Sequence, residues 1–154
     1  MILLASDGSR ESLIALREGA LIAAAQHARA FLLIVEPQTA GTATADGINV
    51  RGADPEANEM LTRGLERLGR LGVAASGRVV AGDPAREIAR AAIEAQADLI
   101  VVGHRRRAFM ERWWSGASGA YIIDHVNCSV LVARNVVSDE AFEAAIGEAE
   151  TVTA

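Results

Sequence analysis

The chain has 154 residues, the length of one domain, with 51% hydrophobic but only 4% aromatic residues and a formal charge of −5. Ala, Val, Leu and Ile must therefore fill the core, as in tightly wound α/β folds, and the acidic balance argues against generic binding to nucleic acid or an anionic membrane. No apolar run approaches the roughly 20 residues that a membrane span needs, Met1 leads straight into ILLASDGS without a basic leader segment, and a single cysteine, Cys128, fits a reducing cytoplasm.

Taken in chain order, Ile2 to Ser6 is a short apolar run closed by the turn cluster Asp7-Gly8-Ser9, which predicts a first parallel strand. Ser9 is placed to cap the following helix, where Leu13, Leu16, Ala20, Leu21 and Ala24 recur at helical spacing. Ala30 to Val35 predicts a second buried strand, and Pro37 to Ala53, rich in Gly, Thr and Ala without periodicity, predicts a mobile loop. Asp54-Pro55 carries a cap-plus-proline signal for a helix whose stripe is Ala57, Met60, Leu61, Leu65, Leu68 and Leu71, stopped by Gly72.

A weaker third strand is expected over about Val73 to Val80. Gly82-Asp83-Pro84 repeats the helix-start signal, and Ile88, Ala89, Ala92 and Ile93 are the expected inward residues of that helix. A fourth strand over Asp98 to Val102 ends in Gly103; a basic loop follows, and Gly116 opens a helix before a fifth strand at Val130 to Ala133. This alternation implies parallel strands with right-handed helical crossovers. After Arg134, SDEAFEAAIGEAE predicts a short acidic helix capped by Ser138, with Phe142 and Ile146 as its apolar side. The domain is expected to span 1–134 and the C-terminal extension 135–154.

In an open parallel sheet, ligands gather beyond the carboxyl ends of the strands where the winding direction reverses. With the first and fourth strands adjacent, that rule puts Asp7 beside the Gly103 loop. Asp7 is then placed to accept from a ribose hydroxyl or an adenine amino group, and the N–H groups of Gly103 and Gly116 to hold phosphates. Each feature has a plainer reading. An Asp after a strand is most often a turn-former, Arg105-Arg106-Arg107 a solvated charge run, and Trp113-Trp114 a cover for apolar surface. His104 is placed to reach a phosphate, His27 and His125 sit at helix ends, and Cys128 reads as inert packing.

In order, ILLASDGS, LLIVEP, GDPAREI, DLIVVGHRRR and GASGAYIIDHVNCSVLVAR resemble the universal stress protein family over about residues 1–134. The resemblance implies a single-domain, Rossmann-like open parallel sheet of five strands in the order 3-2-1-4-5, with helices on both faces. It also implies a cytoplasmic homodimer pairing through strand five (Val130, Leu131, Val132) and stress-related roles. Many members bind ATP through a motif of Gly, two residues, Gly, nine residues, Gly, then Ser or Thr.

Here Gly103 and Gly116 fill the first and third positions, while Arg106 and Ala117 occupy the second and fourth. Ser115 and Ser118 flank Ala117 and offer alternative hydroxyls. Asp7 and Val35 match the family's adenosine-side positions, and Ala5 replaces a proline often found before that Asp. The candidate nucleotide-binding residues are thus Ala5, Asp7, Val35, Val102, Gly103, Arg106, Gly116, Ala117 and Ser118.

Three functions follow. The first is a non-enzymatic regulator that binds ATP or another adenine nucleotide weakly, with Mg²⁺ accompanying the phosphates, and signals to a protein partner. The second is a pure interaction module without nucleotide, contacting partners through Trp113, Trp114 and the C-terminal helix. The third is a slow nucleotide hydrolase. No phosphate loop, nucleophile elbow or metal-ligand cluster in the sequence speaks for catalysis.

Overall fold

Five parallel strands form one sheet in the order β3-β2-β1-β4-β5 in the computed structural model, which describes residues 1–37, 54–103, 124–134 and 137–153. The described elements are β1 (Ile2–Ser6), α1 (Arg10–Ala15), α2 (Arg17–Ala25), β2 (Ala30–Pro37), α3 (Pro55–Arg70), β3 (Ala75–Gly82), α4 (Pro84–Glu94), β4 (Leu99–Gly103), β5 (Ser129–Ala133) and α5 (Asp139–Thr153). β1 is central, with Ala5 in register with Leu33 of β2 on one side and Val102 of β4 on the other. The chain winds outward through β2 and β3, then crosses back over β1 to β4 and β5. The winding thus reverses between β1 and β4, the place where open α/β sheets take their ligands.

Every residue of β1 is buried, because both faces of the sheet are covered. Ile2 and Leu4 pack with α2, α3 and α5 on one face, through Leu16, Ala20, Leu68, Leu71, Phe142 and Ile146. Leu3 and Ala5 pack on the opposite face with Ala85, Ile88, Ala91 and Ala92 of α4. None of the described helices is long and apolar enough to cross a membrane.

Several boundaries differ from the sequence reading, each for a local reason. The first helix is broken at Leu16 into α1 and α2. β2 runs on to Pro37 because β3 continues beside it, with Pro37 in register with Gly82. β3 begins at Ala75 because Val73 is used to stop α3. Gly72, at φ +79°, donates to the Gly69 carbonyl at 3.0 Å, and the Val73 N–H donates to that of Leu68 at 2.9 Å. This pair of bonds closes the last turn while Val73 packs into the core.

The same cap recurs at two ends without glycine. His27 (φ 49°) ends α2 and Gln96 (φ 50°) ends α4, with Ala28 and Ala97 donating back to Ala23 and Ala92 at 2.9 Å. Ile93 is a correction. It was expected in the core, but it is 64% exposed, because it lies five residues after the buried Ile88 and so about 140° around the helix. The loop expected over Pro37 to Ala53 lies outside the described residues from position 38 onward.

α5 is longer than expected and is capped as predicted, with the Ala141 N–H donating to Ser138 Oγ at 3.1 Å. Its apolar side does not face outward. Phe142 is 3% exposed and Ile146 is fully buried, both inside the chain's own core. Arg17, buried at the start of α2, donates to the Val137 carbonyl at 2.9 Å, pairs with Asp139 and lies 5.8 Å from the Phe142 ring centre. Arg67 of α3 lies 4.9 Å from the same ring and reaches Glu143 at 2.9 Å. Two arginines from different helices thus hold one aromatic ring and two acids of α5.

Candidate functional site

Ser6 ends β1, and Asp7-Gly8-Ser9 carries the chain off the sheet into α1. Ser9 is the N-cap, its Oγ accepting from the Ser12 N–H at 3.2 Å. Asp7 is held by the same turn. Its Oδ1 accepts from the Ser9 N–H at 2.9 Å, the Ser9 hydroxyl at 2.6 Å and the Ser12 hydroxyl at 2.6 Å. Three donors on one oxygen fix the carboxylate's rotation as well as its position.

Behind Asp7 lie two buried hydroxyls. Ser6 and Ser12 are 2% and 3% exposed, and their Oγ atoms are 2.5 Å apart. Gly8 N–H donates to Ser6 Oγ at 3.1 Å, and Ser12 Oγ also lies 2.9 Å from the Ser9 carbonyl. Each hydroxyl carries one proton. With the Ser12 proton on Asp7, the Ser6 proton goes to Ser12, and donation runs in one direction from Gly8 through both serines to the carboxylate.

Gly103 ends β4 and meets this cluster from the other side of the reversal. A Cβ at Gly103 would sit 2.9 Å from the Ser12 carbonyl oxygen, 3.2 Å from Ser12 Cα and 3.2 Å from Ala15 Cβ. Glycine is therefore required here by the close approach of α1, not by a left-handed φ. Ser12 thus lies between the two strand ends, its hydroxyl meeting Asp7 and its backbone packed against Gly103.

The other candidates divide in two. Ala5, Val35 and Val102 are all buried with their side chains in the core on the α4 side, so a ligand could be met only by their backbone groups. Arg106, Gly116, Ala117 and Ser118 lie outside the described residues, as do His104, Arg105, Arg107, Trp113, Trp114 and Ser115.

Sequence reasoning missed Ser6, Ser12 and Glu36. Glu36 follows Val35 at the end of β2, and its Oε1 accepts from the Asp54 N–H at 3.0 Å. This ties the end of β2 to the N-cap of α3, because Asp54 accepts from Glu56 N–H at 3.0 Å. A signal for Ser12 existed: a hydroxyl in the first turn of a helix that Ser9 already caps has no capping duty left. Ser6 and Glu36 carried no such signal.

Cys128 immediately precedes β5, is half-buried and packs on the α4-side core. Burial, and secondarily the negative charge of Asp98, raises its thiol pKa above the ordinary value, which keeps it protonated and unreactive. Among the described residues no group of three or more His, Cys, Asp or Glu could hold a metal ion.

Known proteins match both the sequence and the fold. The chain is 35% identical over 80 residues to "Universal stress protein Sll1388" of Synechocystis sp., a match covering 52% of each, so the chain spans about half the length of that curated relative. Its fold is shared with a universal stress protein from Archaeoglobus fulgidus in complex with dAMP (TM-score 0.60, 20% identity, 86% of this chain and 96% of that one). It is shared also with a universal stress protein family protein from Arabidopsis thaliana with AMP bound (TM-score 0.56, 21% identity, 91% and 97% covered). The model of the universal stress protein family matches residues 1–134, from the first strand through β5, and the chain belongs to that family.

Proposed function

We propose that this protein is a regulator that binds an adenine nucleotide, AMP or ATP, where β1 and β4 end, and passes that occupancy to a protein partner. The observation that carries the reading is Asp7: a carboxylate at the winding reversal, held on Oδ1 by three donors and set beside Gly103. Family members crystallised with dAMP and AMP support the choice of ligand.

The described residues suit the adenosine half of such a ligand: Asp7 for the sugar, and the backbone at Ala5, Val35 and Val102 for the base. The phosphate half falls to Gly103, Arg106, Gly116, Ala117 and Ser118, with Mg²⁺ accompanying a triphosphate. Binding is weak, because Arg106 and Ala117 stand where the family motif has a glycine and a hydroxyl. Losing one hydrogen bond to a charged group removes about 1.5–3 kcal/mol, or one to two decades of affinity.

The protein works in the cytoplasm as a homodimer joined through β5, an edge strand of the described sheet whose Val130, Leu131 and Val132 are half-buried in one copy. Residues 1–134 form the family domain and 135–154 an extension of it. The rival reading, an interaction module without nucleotide, loses one of its two surfaces, since the apolar side of α5 is already buried.

Thermal unfolding with and without millimolar AMP or ATP–Mg²⁺ tests the reading. Ligand at a hundred times its dissociation constant adds about 2.7 kcal/mol, which is several degrees for a domain of this size. The expected result is a shift in the wild type that Asp7→Ala abolishes. No shift with either nucleotide would overturn nucleotide binding in favour of the interaction module.

A further inference from the structure

We propose that the seat filled by α5, between the start of α2 and the last turn of α3, is a docking surface for an acidic amphipathic helix of a partner protein, which displaces α5 to bind. The seat belongs to the residues that the family model matches, and α5 lies beyond them. Its cations are Arg17 from α2 and Arg67 and Arg70 from α3. Arg67 meets Asp139 at 3.3 Å and Glu143 at 2.9 Å, Arg70 meets Glu143 at 3.4 Å and Glu150 at 3.0 Å, and Arg17 pairs with Asp139. Beside these cations the core admits two side chains one helical turn apart, Phe142 and Ile146. α5 thus displays the pattern the seat accepts: an aromatic residue, an aliphatic residue one turn on, and acids at the places of Asp139, Glu143 and Glu150.

α5 is a poor helix for its own seat. It carries Asp139, Glu140, Glu143, Glu148 and Glu150 and no basic residue. Acids in the first turn suit the helix dipole, but Glu150 opposes it near the end, where nothing basic compensates. Gly147 weakens the helix relative to alanine, and packing does not require it, because a Cβ there would meet nothing within 4 Å. Nor is the seat fully satisfied, since Arg67 Nε is buried with no acceptor among the described residues. Displacement exchanges like for like, the same ion pairs and the same two buried side chains, so a helix of better intrinsic stability wins the seat. A second copy brings the same glycine and the same late acids, and gains nothing over an α5 that is already tethered. A partner's helix free of those defects does.

The test uses the full chain and a fluorescein-labelled peptide of residues 138–153 carrying Gly147→Ala, read by fluorescence anisotropy. Two substitutions in the protein alter α5 and leave the seat intact: Gly147→Ala strengthens the helix and Gly147→Pro breaks it. Peptide affinity should fall in the order Gly147→Pro, wild type, Gly147→Ala, the last about fivefold below wild type, the worth of a helical glycine-to-alanine change. Adding Arg70→Gln to the Gly147→Pro chain should weaken binding, as should added salt, and a peptide that also carries Phe142→Ala should not bind.

Equal affinity across the three proteins places the peptide elsewhere on the surface and overturns the inference, as does the absence of binding to every folded form. A wild type whose subunits separate as the peptide binds has α5 exchanged between copies, which overturns the choice of a partner protein. Should Gly147→Pro fail to fold, wild type against Gly147→Ala carries the comparison, with Arg70→Gln placed in the wild type.

Discussion

Arg17 and Cys128 show how single residues acquire roles from what surrounds them. An arginine within an apolar helix stripe is costly to bury unless its charge and donors are met. Arg17 is met three ways, by the Val137 carbonyl, the Asp139 carboxylate and the Phe142 ring, all from the C-terminal extension. Cys128 is the reverse case, a residue left with nothing to do but pack.

Because burial raises its thiol pKa, thiolate forms more readily in the unfolded chain than in the folded one. Stability is therefore undiminished below the unfolded thiol's pKa, near 8.5, and falls as pH rises towards the higher folded value. Alkylation by iodoacetamide near pH 8 should be much slower in the native protein than in urea. Cys128→Ala should remove part of the alkaline loss of stability seen in urea melts at rising pH. Equal alkylation rates in native and unfolded protein would contradict this account.

At the scale of elements, the helix ends are decided by backbone geometry. α2, α3 and α4 stop with the same pair of closing hydrogen bonds, yet only α3 has a glycine at the left-handed position. A Cβ at Gly72 would meet nothing within 4 Å, so substitution there strains the dihedral without a clash. Gly72→Ala should cost about 1–2 kcal/mol in urea unfolding, the penalty of a left-handed alanine, with the m-value unchanged. A cost near zero would mean that the turn relaxes out of the left-handed region. His27 and Gln96 already bear that strain, and the opposing Ala28 and Ala97 bonds hold them in it.

For the whole molecule, the extension beyond the family domain is structural. α5 closes the face of the sheet already covered by α2 and α3, adding Phe142 and Ile146 to the core. Exposing two such side chains costs roughly 3–6 kcal/mol at 1.5–3 kcal/mol each. A chain ending at Val137 should therefore melt on the order of ten degrees lower. It should also bind a hydrophobic dye such as ANS, read by calorimetry and fluorescence. An unchanged melting temperature would show that α5 contributes little despite its burial.

By itself, the sequence determined the five strands, the parallel α/β class and the caps at Ser9, Asp54, Asp83 and Ser138, because apolar runs, prolines and capping side chains act within a few residues. The order that makes the first and fourth strands neighbours came instead from the family resemblance, and the sheet has that order. Only the tertiary structure decided which apolar residues face inward. Ile93 turns to solvent and Phe142 into the core, although both carry the helical signal, because the partner surface selects the buried arc. Tertiary structure likewise decided what Ser12 and Arg17 meet. Gly103 reaches the Ser12 backbone from β4 and Asp139 reaches Arg17 from α5, and contacts between segments so distant along the chain leave no periodic trace in the residues that make them.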